Sequence, residues 1–177
     1  MLNLTRVEIP LVEVKVRTIG DSILVARKGA HMSFQDDRNT VRWKVHFSSA
    51  PEKVFAALNT TAGRESFWAE EADEKDGVIT FRILNYEPYR GRILRCQEPH
   101  LFSLEYFGTE VTFSLASDGA AGTDLTLVAT KVDESCRMEM VAGWVSVLLA
   151  MKAYVDFDVD LRNHDSARSW QQGFADN

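Results

Sequence analysis

Histidine, cysteine and carboxylate side chains are where chemistry would begin in this sequence, and their spacing supports little of it. His31, His46, His100 and His164 fall at unrelated positions, without the short regular spacing that lets imidazoles share a metal ion. Cys96 and Cys136 lie far apart and outside any CxxC pattern, so they read as two reduced thiols behaving as small hydrophobes. The acidic run Glu70, Glu71, Asp73, Glu74 and Asp76 lacks the ligand pattern of a calcium loop and reads as a solvated loop. Gly119-Ala120-Ala121-Gly122 has no following Lys and Ser/Thr, so it is a turn and not a phosphate cradle. No nucleophile stands beside a base, and no close carboxylate pair is visible. The sequence therefore assigns no catalytic residue, no metal and no cofactor.

What remains is binding chemistry. Trp68, Phe81, Leu104, Phe113, Trp144 and Leu148 are large apolar residues suited to lining a ligand cavity. The competing reading is that they fill a solid core. Tyr86, Arg92 and Glu105 would supply polar contacts inside such a cavity, or else face solvent on its outer wall.

The elements that must position these residues follow from hydrophobic period. Val41, Trp43, Val45 and Phe47 alternate with Arg42, Lys44 and His46, which makes a strand with one apolar face. Ser49-Ala50-Pro51-Glu52 then offers a capping serine, a first-turn proline and a capping-box glutamate for a short helix. A second short helix is expected through Arg64, Phe67 and Trp68. Segments 78–84, 89–96, 101–107, 110–117 and 123–132 read as a meander of strands, punctuated by turn residues. Ser135 would cap a long helix to about Phe157, roughly 35 Å at the usual rise per residue. Its apolar residues fall in two stripes, one through Met138, Val141, Ala142, Val145, Leu148, Leu149 and Lys152, the other through Met140, Trp144, Val147, Met151 and Tyr154. So wide an apolar arc predicts a helix embraced by the sheet. The fold class is α+β, a helix-grip arrangement: a curved antiparallel sheet of about six strands around one long C-terminal helix, with two short helices after the first strand.

Bulk composition narrows the partners. A net charge of -6 disfavours nucleic acid and anionic membrane surfaces, both of which select basic faces. The longest apolar stretch, 140–151, falls short of the ~20 residues that span a bilayer. Without a recognisable targeting segment, a cytoplasmic location is expected. Residues 1–32 alternate at period two and read as an N-terminal extension with an extra hairpin, and Met32 offers an alternative start. Residues 33–160 form the helix-grip domain, and 161–177 a C-terminal tail packing on it.

The strand, two short helices, meander and closing helix resemble the SRPBCC (START and Bet v 1-like) superfamily. Residues 49–58 (Ser-Ala-Pro-Glu-Lys-Val-Phe-Ala-Ala-Leu), the Phe67-Trp68 pair, and Gly143-Trp144 followed by Leu148, Leu149 and Lys152 carry a closer resemblance. They are similar to bacterial proteins related to the C-terminal domain of the Hsp90 ATPase activator. The tail, 160–174, resembles the ending of one bacterial branch. Met140 stands where many relatives carry a histidine, which removes a titratable group from the helix. The resemblance implies a cavity between sheet and helix that holds apolar molecules.

The leading expectation is thus non-catalytic binding of a small apolar or amphipathic ligand, lipid-like or aromatic. A protein-interaction module with a chaperone partner is the first alternative, and a cyclase or hydratase using the same cavity the second. The oligomeric state is left open.

Overall fold

The computed structural model describes Gln35 and residues 37–176. The expected N-terminal hairpin, His31 and Met32 lie outside the described residues. Among the described residues, seven antiparallel strands form one sheet: β1 (Val41–Phe47), β2 (Glu71–Lys75), β3 (Val78–Arg82), β4 (Tyr89–Gln97), β5 (Leu101–Tyr106), β6 (Thr109–Ser117) and β7 (Thr123–Thr130). Their order across the sheet is β1-β7-β6-β5-β4-β3-β2. After β1 the chain crosses through α1 (Pro51–Asn59) and α2 (Thr61–Glu65), and after β7 it enters α3 (Arg137–Phe157). This is the expected helix-grip class, with the sheet curved around one long helix. A register shift between Ile93 and Arg95 on β4 adds local bend and twist.

Alternation produces the one-sided sheet. Ile79 and Phe81, Phe102 and Leu104, Val111 and Phe113, and Leu125 and Leu127 are all buried on the inner face. At about 25 cal/mol per Å² of apolar surface removed from water, this shared face is the main drive for closing the sheet on α3.

Four local expectations are corrected. The acidic run forms the edge strand β2, paired with β3 from Glu71↔Arg82 to Lys75↔Val78, in place of a solvated loop. Alternation survives there only through Ala72, the one buried residue, while the carboxylates face water and keep an open edge soluble. Phe67 and Trp68 lie just beyond α2, not on it, with the Trp68 N–H bonded to the Arg64 carbonyl at 2.8 Å. Ser49 does not cap α1; its hydroxyl bonds Val155 O at 3.2 Å and the Asp156 carboxylate at 3.0 Å. At the start of α3, Asp133 accepts from the Ser135 N–H at 2.8 Å, so the aspartate caps the opening turn where the serine was expected to.

The long helix is corrected in a way that matters for function. Trp144, Leu148, Met151 and Val155 face the sheet and are buried. The other stripe turns outward apart from Leu148: Met138 is 85% exposed, Leu149 53% and Val145 36%. A single concave sheet covers one side of a helix, and among the described residues the far side here receives the C-terminal tail. By length and composition, the helical stretch Glu134–Phe157, 24 residues, would suffice to cross a membrane, a criterion that the core helix of a soluble protein also meets. Its inner face is committed to the core.

Candidate functional site

Among the described residues, cavities flank α3 on two sides. One, of about 300 Å³, lies along its N-terminal half. The other, about 400 Å³, runs between its outer side and the tail, where Val145 and Leu149 meet Leu161 and Arg162. The first gathers aromatic rings and a few polar groups at one point, the composition that ligand pockets share.

Its floor is a triangle of rings. Trp68, Tyr106 and Trp144 stand with centroids 5.2, 5.4 and 5.7 Å apart. Trp68 is delivered by the turn that follows α2, Tyr106 by the end of β5, and Trp144 by the second turn of α3. Phe107 and Gly108 make the two-residue link from β5 to β6, both with positive φ (44° and 77°). Such a turn favours Asn or Gly; a bulky side chain in that conformation is strained. Phe107 is held there by stacking on Tyr89 at 4.3 Å and by edge contact with Tyr106 at 4.8 Å. The strain places a ring in the cavity wall.

Gly143 supplies the space. A Cβ built on it would meet no atom within 4 Å, so this mid-helix glycine is not forced by close packing. Its position in the cavity wall beside Trp144 keeps the volume open. Trp170 closes the opposite side from the tail, donating its indole N–H to Glu139 at 3.2 Å.

The polar groups are few. Burial pushes the Tyr106 phenol far up, against a smaller opposing effect of the nearby Trp68 indole, so it stays neutral. Burial also raises Tyr86, and the neighbouring Glu139 carboxylate adds to that by repelling a phenolate. The Trp144 indole N–H is buried and has no hydrogen-bond partner among the described residues. Hydroxyls, the buried indole donors of Trp68 and Trp144 and one carboxylate can orient a ligand. They include no base positioned against a nucleophile.

The residues expected to form the site divide three ways. Trp68, Tyr86 and Trp144 line the cavity. Phe81, Phe113, Leu104 and Leu148 are buried behind it as solid core, with Phe81 5.0 Å from Trp68 and Phe113 5.9 Å from Trp144. Arg92 and Glu105 face away on the outer side of the sheet, 3.4 Å from each other and well exposed. Strand alternation explains this, since the adjacent Ile93 takes the inward position. Sequence reasoning missed Tyr106, Phe107, Glu139, Gly143 and Trp170 as cavity residues. Two of them carried a local signal: an aromatic before Gly108 in a tight turn, and a glycine inside a strong helical pattern.

Of the motifs set aside, His46 pairs with Asp124 at 3.0 Å. His164 bridges Glu70 and Asp160 at 2.9 and 3.2 Å. Arg162 reaches the carbonyl of Ala69 at 2.7 Å and that of Glu65, and Arg168 pairs with Asp165. The His164–Glu70 and Arg162 contacts fasten the tail to the segment around Glu65, Ala69 and Glu70, while His46–Asp124 joins β1 to β7. No group of three or more His, Cys, Asp or Glu among the described residues is arranged to hold a metal.

Comparison with known proteins places this geometry. Residues 48–156 match the family model described as "Activator of Hsp90 ATPase homolog 1-like protein". No curated protein matches the chain. The solved structure of SSP2350 from Staphylococcus saprophyticus is similar, with a TM-score of 0.62 at 23% identity over 70% of this chain and 96% of that one. The Aha1 dimer from Colwellia psychrerythraea gives 0.61 at 18% identity, over 67% and 96%. EF2215 from Enterococcus faecalis gives 0.61 at 20%, over 74% and 81%. At these identities the likeness shows a shared fold.

Proposed function

For a chain that belongs to the Activator of Hsp90 ATPase homolog 1-like family, we propose non-catalytic binding of one small apolar or amphipathic molecule beside α3. The observation that carries this reading is the cavity of about 300 Å³ among Trp68, Tyr106 and Trp144, held open at Gly143. At roughly 30 Å³ per water it has room for about ten waters, or for one ligand at the small end of the usual pocket range. Tyr86, Tyr106 and the unpartnered Trp144 N–H would orient it. The free thiols Cys96 and Cys136 support a reducing compartment, and we place the protein in the cytoplasm.

The test is calorimetric titration of the full chain with 4-tert-butylphenol, a neutral amphipathic probe, beside native mass spectrometry of protein purified without detergent. Saturable uptake of one equivalent, or a retained molecule, supports the reading. Neither in the wild-type protein overturns it.

A protein partner is the second reading, favoured by the exposed face of Met138, Val145 and Leu149 and by the family's name. Stimulation of a bacterial Hsp90 ATPase, abolished by Leu149→Glu, would establish it. Unchanged ATPase rates at saturating protein would remove it.

A further inference from the structure

We propose that the cavity beside α3 selects a small organic cation, an ammonium group on an apolar body, over neutral and anionic molecules of the same shape. The inference rests on the ligand-binding reading and adds the charge of the ligand to it. Six of the lining residues are aromatic: Trp68, Tyr86, Tyr106, Phe107, Trp144 and Trp170. Aromatic faces carry negative quadrupole and attract a desolvated cation. Glu139 is the one lining residue among those described that bears a formal charge at neutral pH. Among the described residues, no lysine, arginine or histidine lines the space to balance it.

Glu139 keeps acceptor capacity. Only its Oε1 takes the Trp170 N–H, at 3.2 Å, and a carboxylate has about four acceptor sites. Its field already reaches Tyr86, whose phenol it helps hold in the neutral form. The partial positive charge at the start of α3 would by itself favour an anion. That end is crowded with carboxylates: Asp133 accepts from the Ser135 N–H, Glu134 pairs with Arg38, and Glu139 sits in the first turn. Arg38 and Arg137 stand at the same end but do not line the cavity, so among the described residues the lining carries one negative charge, that of Glu139.

The experiment compares three isosteric probes on the intact chain by calorimetry: 4-hydroxyphenyltrimethylammonium, 4-tert-butylphenol and 4-hydroxybenzenesulfonate. The cation should bind at least about tenfold more tightly than the neutral phenol, the gain of one or two desolvated cation–π contacts. The sulfonate should bind most weakly. Glu139→Gln, at an exposed position that leaves the core untouched, should shrink the cation-to-neutral ratio toward one. Equal affinities, or tightest binding of the sulfonate, would overturn the charge selectivity and leave the cavity standing. A ratio unmoved by Glu139→Gln would remove the carboxylate from the proposal and overturn it as stated. Binding of none of the three would bring down the cavity reading and this inference together.

Discussion

The Trp170 indole N–H lies 3.2 Å from the Glu139 carboxylate, so the C-terminal tail and the first turn of α3 meet at the cavity wall, 31 residues apart in sequence. That contact makes the tail part of the container. Replacing Trp170 by alanine should weaken binding of any cavity ligand about tenfold through loss of one aromatic wall, chiefly by faster dissociation. Because Trp170 is only half-buried, the loss of folding stability should stay near 1 kcal/mol. Stopped-flow displacement and urea unfolding on the same variant separate the two effects.

Gly143→Leu gives a cleaner block than any truncation. The new side chain meets no atom at its Cβ and grows into the open volume. A glycine in mid-helix costs about 1 kcal/mol relative to good helix formers, so the variant should be as stable as the wild type or up to about 1 kcal/mol more stable. Ligand uptake should disappear. A thermal melt and a titration on one sample check both, and retained binding would place the ligand elsewhere.

Arg64 is fully buried and donates to Ala72 O through Nε and Nη2 at 3.2 and 2.8 Å, and to Leu58 O at 3.1 Å. It ties the end of α1 to the edge strand β2. Burial lowers its pKa, opposed by the nearby Glu74, Glu65 and Asp73. Arg64→Met keeps most of the volume but leaves two buried carbonyls without donors. The expected loss is about 3 kcal/mol by urea unfolding.

Asp156 gives the fold one acid-sensitive contact. Burial alone would raise its carboxyl, but donors from Lys152, the Ser48 N–H and the Ser49 hydroxyl outweigh burial and bring it down to about 2 from an ordinary 3.8. A carboxylate lowered by folding stabilises the native state above its unfolded value and loses that contribution as pH falls through its folded value. Asp156 should therefore contribute about 2 kcal/mol at neutral pH, declining from near pH 4 and gone below pH 2. Asp156→Asn should be destabilised by about that much at pH 7 and match the wild type at pH 2. Denaturant melts across this range read the difference directly.

The sequence by itself determined the elements and their class. Period-two alternation marks β1 and β3–β7 within a residue or two of their ends, because a half-buried strand must alternate. It also determined that α3 exists, since a long apolar run without proline forms a helix in a protein interior. It did not reveal β2, whose carboxylates leave only Ala72 as an apolar mark. Nor did it reveal which stripe of α3 would be buried, because both are apolar and only the curvature of the sheet chooses.

The cavity belongs to tertiary structure for the same reason. Trp68, Tyr106, Trp144 and Trp170 come from four separate segments, and whether their rings touch or leave a gap depends on offsets of a few ångströms that no local pattern encodes. Phe81, Phe113, Leu104 and Leu148 have the same residue types and became solid core. Hydrophobicity says which side chains leave water; packing alone decides which of them still have room beside them.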